Sequence, residues 1–443
     1  MKAKIFRTAK NSRERLSEIG TVTLQQTFDT TIPVIAINPQ QRFQTHIGFG
    51  GAFTEAAAYT LSEVSKDIRA EAIKAYYDPE NGIGYTMGRT TIHSSDFSLE
   101  NYTYVSDGDN DLASFDLSRE DKWVIPMIRD AKSWSKTLDL LASPWSPPAW
   151  MKTNNNMNFG GKLLPEHRLT WANYFVKYLD HMKDRGVDFW AVSVQNEPAA
   201  TQVWDSCIYS AEEERDFLKN YLGPVLEASN HDIKVLVWDH NRDIIVERAA
   251  TILLDKDAAR YVFGVAMHWY VSEAFENLSV VHNMFPDTHI VFTEGCQEGG
   301  PHVGSWKTGE RYARNIIGDL NNWVEGWIDW NLVLNELGGP NHVNNLCDAP
   351  ILVDRNENKL IYNSSYYYIG HFSKFIRPKA VRIGCISNAQ PLVRSTAYQN
   401  TDGGIVLVVQ NESDSLQSIS IALGQQGFTL KLPEHSITTF IIQ

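Results

Sequence analysis

Residues 189–198 read FWAVSVQNEP, an apolar and β-branched run that ends in an amide, a carboxylate and a proline. A run of this length and composition predicts a short buried strand. Seven further runs of this kind occur before residue 335, each followed by polar or aromatic residues. They are Gly48–Phe53, Ile83–Ile92, Leu138–Ser143, Ile233–Trp238, Val262–Trp269, His289–Thr293 and Val324–Leu334.

Stretches with helical spacing of apolar residues lie between these runs. They include Leu61–Tyr77, Arg119–Trp134, Arg168–Arg185, Ala211–Ala228 and Arg311–Asn322. Strands that alternate with helices in this way predict a parallel sheet joined by helical crossovers. Eight such units in about 300 residues predict a closed (β/α)8 TIM barrel.

The sequence after Ala380 changes character and predicts an all-β module. Its strand-like runs are Val381–Ile386, Leu392–Tyr398, Gly404–Gln410, Leu416–Ala422, Phe428–Leu432 and Ser436–Ile442. Thr21–Phe28 and Val34–Ile37 are also strand-like, and we expect them to join the C-terminal strands in one small β-sandwich. The expected organisation is N-terminal strands in residues 1–40, the barrel in 41–377 and the C-terminal part of the sandwich in 378–443.

The composition excludes several classes of protein. Of the 443 residues, 43% are hydrophobic and 11% aromatic, which is too apolar for a disordered chain. Lys+Arg number 40 and Asp+Glu 53, and the formal charge of −13 disfavours nucleic acid or an anionic membrane as a partner. No apolar run approaches the roughly 20 residues of a membrane-spanning helix. The sequence does not indicate an oligomeric state.

Two features of the sequence indicate the cellular compartment of the protein: its basic N-terminal stretch and its few cysteines. No apolar run follows Met1–Arg7, which argues against a Sec signal peptide. Cys207, Cys296, Cys347 and Cys385 are few and widely spaced, which argues against a disulfide framework or a zinc-binding cysteine motif. We therefore expect a cytoplasmic protein, or one exported without a Sec signal.

Two glutamates are candidate catalytic residues. Glu197 and Glu294 each follow an otherwise apolar run, and active sites of TIM barrels lie at the carboxyl ends of the strands. One such glutamate alone is commonly a surface charge. Two of them, with tryptophans and amides in the neighbouring loops, suit cleavage of a glycosidic bond, in which one carboxyl protonates the leaving oxygen while the other attacks or activates water. Tryptophan rings can stack on the apolar faces of sugars.

Other motifs do not point to a cofactor. Gly48–Phe53 begins like a dinucleotide fingerprint, but its sixth residue is Phe53 where glycine is required. His93, His240 and His268 follow different strands and could in principle bind a metal, but the accompanying ligand spacing is missing. We expect no cofactor and no metal.

The motifs around these residues resemble glycoside hydrolase family 30, the glucosylceramidase-like family, and most of all its bacterial branch. The resemblance covers nearly the whole chain. It rests on residues 48–56, 96–98, 142–154, 195–198, 268–270, 293–295, 329–331, 338–341 and 370–375. It implies a barrel with an attached β-sandwich and a retaining mechanism.

The resemblance also implies roles for individual residues. Glu197 matches the acid/base of the family and Glu294 its nucleophile. The implied substrate-binding residues are Asp96, Trp150, Asn196, Tyr270, Trp330 and Asn345, with Arg89 and His268 in supporting positions. Arg89 is expected to lower the pKa of Glu294, and the charge of Glu294 is expected to raise the pKa of Glu197.

The function that follows is a retaining β-glucosidase. Its substrate could be glucosylceramide or a related glycolipid, a β-1,6-linked glucan, or a small aryl or alkyl glucoside. His342 and Asn344 depart from the pattern of the lysosomal members and lie toward the aglycone side, which puts ceramide specificity in doubt. A transglycosylase would use the same residues. A non-catalytic carbohydrate-binding effector is the alternative of another class, and the presence of both glutamates argues against it.

Overall fold

The computed structural model describes residues 1–443. Strands make up a barrel, a large sheet and a small sheet. The strands are β1 Lys2–Ala9, β2 Ser17–Thr23, β3 Val34–Thr45, β4 Gly48–Phe53, β5 Met87–Ile92, β6 Asp139–Pro144, β7 Ala191–Ser193, β8 Lys234–Asn241, β9 Gly264–His268, β10 His289–Glu294, β11 Gly326–Asn331, β12 Val333–Asn335, β13 Ile351–Asp354, β14 Lys359–Tyr362, β15 Val381–Ser387, β16 Val393–Gln399, β17 Ile405–Asn411, β18 Gln417–Leu423, β19 Gln426–Leu432 and β20 Ser436–Ile442.

Helices follow the barrel strands. They are α1 Glu55–Ser62, α2 Lys66–Tyr77, α3 Ser118–Lys122, α4 Val124–Trp134, α5 Arg168–Asp184, α6 Ala211–Phe217, α7 Gly223–Ala228, α8 Ile245–Leu253, α9 Lys256–Ala259, α10 Glu276–Met284, α11 Trp306–Asn321 and α12 Ser364–Ser373. A π-helical turn, Leu218–Leu222, joins α6 to α7, and three short 3₁₀ helices complete the set. No helix is both long enough and apolar enough to cross a bilayer.

The expected TIM barrel is confirmed. Strands β4 to β11 form a closed barrel, in which β11 pairs in parallel with β4. Small and aliphatic side chains fill its interior, among them Met87, Ala191 and Val291. A much larger apolar core lies between the strands and the surrounding helices. This packing on both faces explains why the strands read as nearly continuous apolar runs.

Two predicted helices are each divided in the structure, and one of them, Arg119–Trp134, breaks at Trp123 between α3 and α4. The stretch Leu61–Tyr77 is interrupted because α1 ends at Ser62 and α2 begins only at Lys66. The side chain of Ser65 accepts a hydrogen bond from the backbone N–H of Ile68 and so caps α2. A serine with such a cap starts a new helix, and apolar spacing alone did not reveal it.

The expected β-domain of N- and C-terminal strands is also confirmed. Nine strands form one sheet in the order β19-β18-β3-β15-β16-β17-β20-β1-β2. The sheet folds over itself, because Phe428 of β19 and Phe440 of β20 pack with ring centroids 5.6 Å apart although their strands are far apart in that order. The enclosed apolar core is separate from that of the barrel.

The N-terminal stretch was not predicted as a strand. Residues of β1 pair with β20 on one side and β2 on the other, so the basic stretch at Lys2–Arg7 is part of the sheet. The second strand is Ser17–Thr23 rather than Thr21–Phe28, and β3 continues in this sheet as far as Thr45. The small sheet β12-β13-β14 was likewise not anticipated.

Candidate active site

The two glutamates meet at the carboxyl end of the barrel. Glu294 is the last residue of β10, and Glu197 follows β7. Both line a cavity of about 280 Å³. One carboxylate oxygen of each, together with a ring nitrogen of His268, lies within 4.8 Å of the others. The backbone of Glu197 has φ 48°, in the left-handed region, and its N–H donates to the Asp239 carbonyl at 3.0 Å.

Glu294 receives a hydrogen bond on each carboxylate oxygen. The Arg89 guanidinium donates from Nη1 to Oε2 at 2.5 Å. The Tyr270 hydroxyl donates to Oε1 at 2.8 Å. Both donors favour the ionised carboxylate, and they fix the plane of the side chain toward the cavity.

Arg89 is a fully buried cation, held in place by several neighbours. Its Nη2 donates to Asp239 Oδ2 at 2.9 Å and to Asn196 Oδ1 at 2.8 Å. Its guanidinium also lies 4.8 Å from the ring centroid of Trp145 and 5.6 Å from that of Trp330. Asp239 and Glu294 keep this arginine charged despite its burial. Arg89 thus ties together three barrel strands beneath the cavity.

His268 connects Glu197 to Asp239. Its Nδ1 lies 3.2 Å from Glu197 Oε1 and its Nε2 lies 3.1 Å from Asp239 Oδ1. Burial alone would lower the pKa of His268, but the charges of Glu294 and Asp239 and the hydrogen bonds to Asp239 and Glu197 raise it to about 9. At neutral pH the imidazolium therefore donates to both carboxylates. Arg89 and His268 together hold the pKa of Asp239 well below its usual range, although burial opposes this.

The distribution of protons over the two glutamates differs from the expectation. Burial would raise the pKa of Glu197, but the hydrogen bond and charge of His268 outweigh it and lower that pKa. Burial raises the pKa of Glu294 in spite of the neighbouring His268 and Arg89. The charge of His240 also lowers the pKa of Glu197, and the charge of Glu197 adds to burial in raising the pKa of Glu294. Two carboxyl groups this close titrate together, so a proton on one affects the other directly.

The opposite side of the cavity carries the residues expected to contact a sugar. Asp96 Oδ2 accepts hydrogen bonds from the side-chain amides of Asn341 at 3.1 Å and Asn345 at 3.0 Å. Burial raises the pKa of Asp96 to about 7. The ring of Trp330 stacks on that of Trp145 with centroids 5.1 Å apart, and both rings line the cavity. The site therefore combines a carboxyl, amides and aromatic faces.

Most of the predicted site residues line this one cavity. They are Asp96, Asn196, Glu197, Tyr270, Glu294, Trp330 and Asn345. Arg89 and His268 lie behind the glutamates and touch them.

Trp150 is the predicted substrate-binding residue that the cavity wall does not include. It lies in a 3₁₀ helix, Ala149–Met151, and its ring packs edge-on against His167 with centroids 4.9 Å apart. Trp145 faces the cavity instead, because it directly follows the end of β6 at Pro144. Proximity to the strand end was the signal that would have selected Trp145, and a direct sugar contact by Trp150 stays a prediction.

Asp239 was not singled out from the sequence, although its side chain accepts hydrogen bonds from several neighbours. Besides Arg89 and His268, Ser193 and Thr293 donate to it, at 2.5 Å and 2.6 Å. A carboxylate within a strand is unusual, and this was the available signal. Gln202 was also missed, since it lies on the loop after Glu197 and its Nε2 is 3.5 Å from Glu197 Oε2.

Glu197, His268 and Glu294 carry the atoms that could form a metal site. The chemistry of the donors argues against this use. A histidine with a pKa of about 9 keeps its ring nitrogens protonated at neutral pH, and both of them already face carboxylates. A protonated imidazole has no lone pair to offer to a metal ion.

Known proteins and solved structures match nearly the whole chain. The chain is 37% identical over 449 residues to the lysosomal acid glucosylceramidase of Mus musculus, covering 97% of this chain and 87% of that protein. It is 30% identical to the endo-1,6-beta-D-glucanase neg1 of Aspergillus fumigatus over 90% of this chain and 85% of that one. The solved structure of SrfJ from Salmonella typhimurium superposes with a TM-score of 0.95 at 36% identity and covers 100% of both chains.

Two domain families match in chain order. The glycosyl hydrolase family 30 TIM-barrel domain matches residues 46–376, and the glycosyl hydrolase family 30 beta sandwich domain matches residues 379–440. Together they account for the barrel with its cavity and for most of the folded-over sheet. The chain is a glycoside hydrolase of family 30.

Proposed function

We propose that the protein is a retaining β-glucosidase that uses Glu294 as nucleophile and Glu197 as acid/base. The observation that carries the proposal is the short separation of the two carboxylates, since one oxygen of Glu197 lies within 4.8 Å of one oxygen of Glu294. Retaining glycosidases place their carboxyl groups about 5–5.5 Å apart, whereas inverting ones leave about 6.5–9.5 Å for a water molecule. The fixed orientation of Glu294 between Arg89 and Tyr270 supports the role of nucleophile.

In the first step, a carboxylate oxygen of Glu294 attacks the anomeric carbon of the sugar. The bond from that carbon to the glycosidic oxygen breaks, and the leaving oxygen takes the proton of Glu197. The positive charge that develops on the sugar favours the ionised form of Glu294. Because the two glutamates titrate together, ionisation of Glu294 favours the protonated form of Glu197. Without substrate the pKa shifts favour the opposite arrangement, with the proton on Glu294.

In the second step, water attacks the anomeric carbon of the covalent ester. Glu197 accepts the proton of this water as the new carbon–oxygen bond forms. The ester bond to Glu294 breaks, the carboxylate is restored, and the sugar leaves with its original β configuration. Esterified Glu294 carries no charge, which makes Glu197 more acidic and therefore ionised in time to act as base.

Asn196 is suited to binding the sugar next to the anomeric carbon. Its amide oxygen accepts a hydrogen bond from Arg89 at 2.8 Å, so its N–H₂ group is left to donate into the cavity that it lines. A donor to the sugar 2-hydroxyl strengthens in the transition state and contributes to catalysis. Asp96 and Asn345, on the other wall, would bind hydroxyls farther from the bond that is cleaved.

We propose a β-glucoside with an apolar aglycone as substrate, of the glucosylceramide type. The relative from Mus musculus is a lysosomal acid glucosylceramidase, and the alignment covers nearly the whole chain. The hydrogen bonds that orient Glu294 and Asp96 concern the sugar side of the cavity, so they serve a β-glucoside with any aglycone.

Incubation with p-nitrophenyl β-glucoside, glucosylceramide and a β-1,6-glucan tests the proposal, with NMR following the anomer first released. Prompt β-glucose is the expected product, and α-glucose released first would remove Glu294 from the role of nucleophile. Mass spectrometry of the protein treated with a 2-fluoro-glucoside should find the label on the peptide that contains Glu294. We expect EDTA to leave the activity unchanged, since no metal takes part in these steps.

Two isosteric variants distinguish the role of nucleophile from that of acid/base. Glu294→Gln should lose activity toward every glucoside. Glu197→Gln should still react with an aryl glucoside whose leaving group needs no proton, and azide should accelerate it and give β-glucosyl azide. Equal losses in both variants without azide rescue would contradict the assignment of acid/base to Glu197.

An endo-β-1,6-glucanase is the second candidate function. The relative from Aspergillus fumigatus carries that name and aligns over most of the chain. Reducing-end-labelled β-1,6-linked oligosaccharides distinguish the two. Release of free glucose, with labelled products that shorten by one unit at a time, supports a glucosidase. First products that are several units shorter, without free glucose, support the endo-acting enzyme. The family membership favours either enzyme over a non-catalytic carbohydrate-binding effector, and product analysis with an added alcohol would detect transglycosylation.

A further inference from the structure

Glu197 stands at the start of the loop after β7 and has a left-handed backbone, with φ 48°. A residue with a side chain keeps this conformation only where the surrounding structure fixes it. Within the loop of residues 198–209, the Ala200 N–H donates to the Glu197 carbonyl at 3.0 Å. The Tyr209 N–H donates to the Pro198 carbonyl at 2.8 Å and closes the loop. The position of Glu197 therefore depends on what holds this loop in place.

The ammonium group of Lys152 lies between this loop and the loop after β6. Lys152 directly follows the 3₁₀ helix Ala149–Met151, and its side chain is buried. Its Nζ donates to the Ser206 carbonyl at 2.6 Å and to the Met157 carbonyl at 3.0 Å. One cation thus ties the loop after β6 to the loop that begins at Glu197.

The ammonium group of Lys152 is charged although it is buried. Burial lowers its pKa to about 8, while the charges of Cys207 and Asp205 raise it, so the group keeps its proton at neutral pH. Hydrogen bonds from a charged donor are roughly twice as strong as those between neutral groups. An apolar side chain in this place would leave both carbonyls without this donor, which is costly in a buried environment.

The contacts continue from this cation to the part of the cavity that faces Glu197. Ser206, whose carbonyl accepts from Lys152, also accepts on its Oγ from the Gln202 N–H at 3.2 Å and donates to the Trp204 carbonyl at 3.0 Å. Gln202 and Trp204 both line the cavity. Gln202 Nε2 lies 3.5 Å from Oε2 of Glu197. The residue that Lys152 holds therefore fixes the segment of the loop that lies against Glu197.

We propose that Lys152 is a positioning residue for Glu197, because its ammonium group fixes the loop of residues 198–209 and so aligns the acid/base with the leaving oxygen. This inference rests on the proposed β-glucosidase activity with Glu197 as acid/base. Lys152 acts through the loop and not on the substrate, since its side chain is buried and does not line the cavity. Its loss should weaken protonation of the leaving oxygen more than attack by Glu294.

The test compares three aryl β-glucosides that share a ring and differ in the leaving group. The 2,4-dinitrophenolate ion leaves without a proton, p-nitrophenolate needs little assistance, and phenolate depends on the acid. Lys152→Met keeps a side chain of similar length without a donor. It should lower kcat/KM for phenyl β-glucoside at least about tenfold and that for 2,4-dinitrophenyl β-glucoside by less than about threefold.

Lys162→Met is the matched control. Lys162 lies in the same loop as Lys152, but its side chain is 52% exposed and its ammonium group pairs with Glu213 at 2.6 Å. This variant should keep the wild-type kcat/KM for all three glucosides.

Ser206→Ala is a second variant that keeps the lysine and the carbonyl it binds. It removes the hydroxyl that accepts from the backbone N–H groups of Gly160 and Gln202. We expect the same dependence on the leaving group as in Lys152→Met, with a smaller loss. If Lys152→Met does not fold, the comparison of the three glucosides is decided on Ser206→Ala.

Three results would overturn the inference. Equal losses for all three glucosides would mean that Lys152 supports the fold and not the alignment of Glu197. Wild-type kinetics of Lys152→Met would mean that the loop does not need the cation. In both cases the β-glucosidase proposal stands. If the wild type hydrolyses none of the three glucosides, the β-glucosidase proposal fails and this inference fails with it.

Discussion

Replacement of Tyr270 by phenylalanine removes one hydroxyl that touches Glu294. The hydroxyl donates to Oε1 at 2.8 Å, while Arg89 on the other oxygen is unchanged. The ring itself stays in place, so the cavity keeps its shape. The only other polar contact of this hydroxyl is the Cys296 sulfur at 3.7 Å, a weak acceptor.

The expected loss follows from the type of hydrogen bond. A hydrogen bond to a charged group contributes about 1.5–3 kcal/mol. If the bond acts on the ionised nucleophile, Tyr270→Phe should lower kcat/KM for p-nitrophenyl β-glucoside by roughly 10- to 150-fold at neutral pH. The melting temperature should change little, because no large side chain or buried ion pair is lost.

The pH profile should move in a defined direction. The Tyr270 hydrogen bond lowers the pKa of Glu294, so its removal raises that pKa. The ionised nucleophile then disappears at a higher pH as the solution is acidified. The acidic limb of kcat/KM should therefore shift upward by about one to two pH units.

Tyr312→Phe is the matched control. The Tyr312 hydroxyl donates to Asp329 Oδ1 at the same 2.8 Å and is buried, but Tyr312 does not line the cavity. This variant should lose stability and keep the pH profile of the wild type. If Tyr270→Phe keeps the wild-type kcat/KM and acidic limb, Glu294 does not depend on this bond and the assignment of its environment is wrong.

Further expectations concern the aromatic wall, a buried carboxyl and the subsite opposite the glutamates. Trp145→Ala should lower kcat/KM for p-nitrophenyl β-glucoside about 10- to 100-fold because it removes a cavity-lining ring and its contact with Arg89. Trp150→Ala tests the predicted sugar contact of Trp150: a loss of at least about tenfold supports the contact, and a kcat/KM within about threefold of wild type contradicts it. Burial raises the pKa of Glu120 to about 7, so its stabilising contribution is complete below its unfolded pKa of 4.5 and is lost as the pH rises through 7. In urea unfolding, the free energy of unfolding of the wild type should therefore fall by about 3 kcal/mol from pH 5 to pH 8, and that of Glu120→Gln should not. An equal fall in both proteins would refute this. Asp96→Asn should raise KM for methyl glucoside at least about tenfold with a smaller effect on kcat, and an effect confined to kcat would contradict its place away from the reacting bond.

Sequence patterns predicted the barrel well because its strands are buried on both faces. All eight barrel strands were found from their apolar runs, with ends displaced by a few residues. The strand β1 was missed because its alternation of basic and apolar residues reflects a strand with one exposed face rather than a run buried on both faces. Helix interruption at Ser65 was missed because a cap depends on a single side chain.

For the candidate site, the sequence by itself determined which loops carry the chemistry. A residue such as Glu197 or Glu294 at the end of a parallel strand has to emerge at the same end of the barrel as the others. Family motifs then indicated which glutamate could serve as acid and which as nucleophile.

Only the tertiary structure decided how the charges are shared and which aromatic rings face the cavity. Asp239 and Glu197 face the two ring nitrogens of His268, and Asp239 and Glu294 accept from different nitrogens of Arg89, across strands far apart in the chain. A pKa depends on the burial and distance of such neighbours, and these are properties of the fold and not of local sequence. The same holds for Trp145 and Trp150, which lie close together in the chain but have different surroundings.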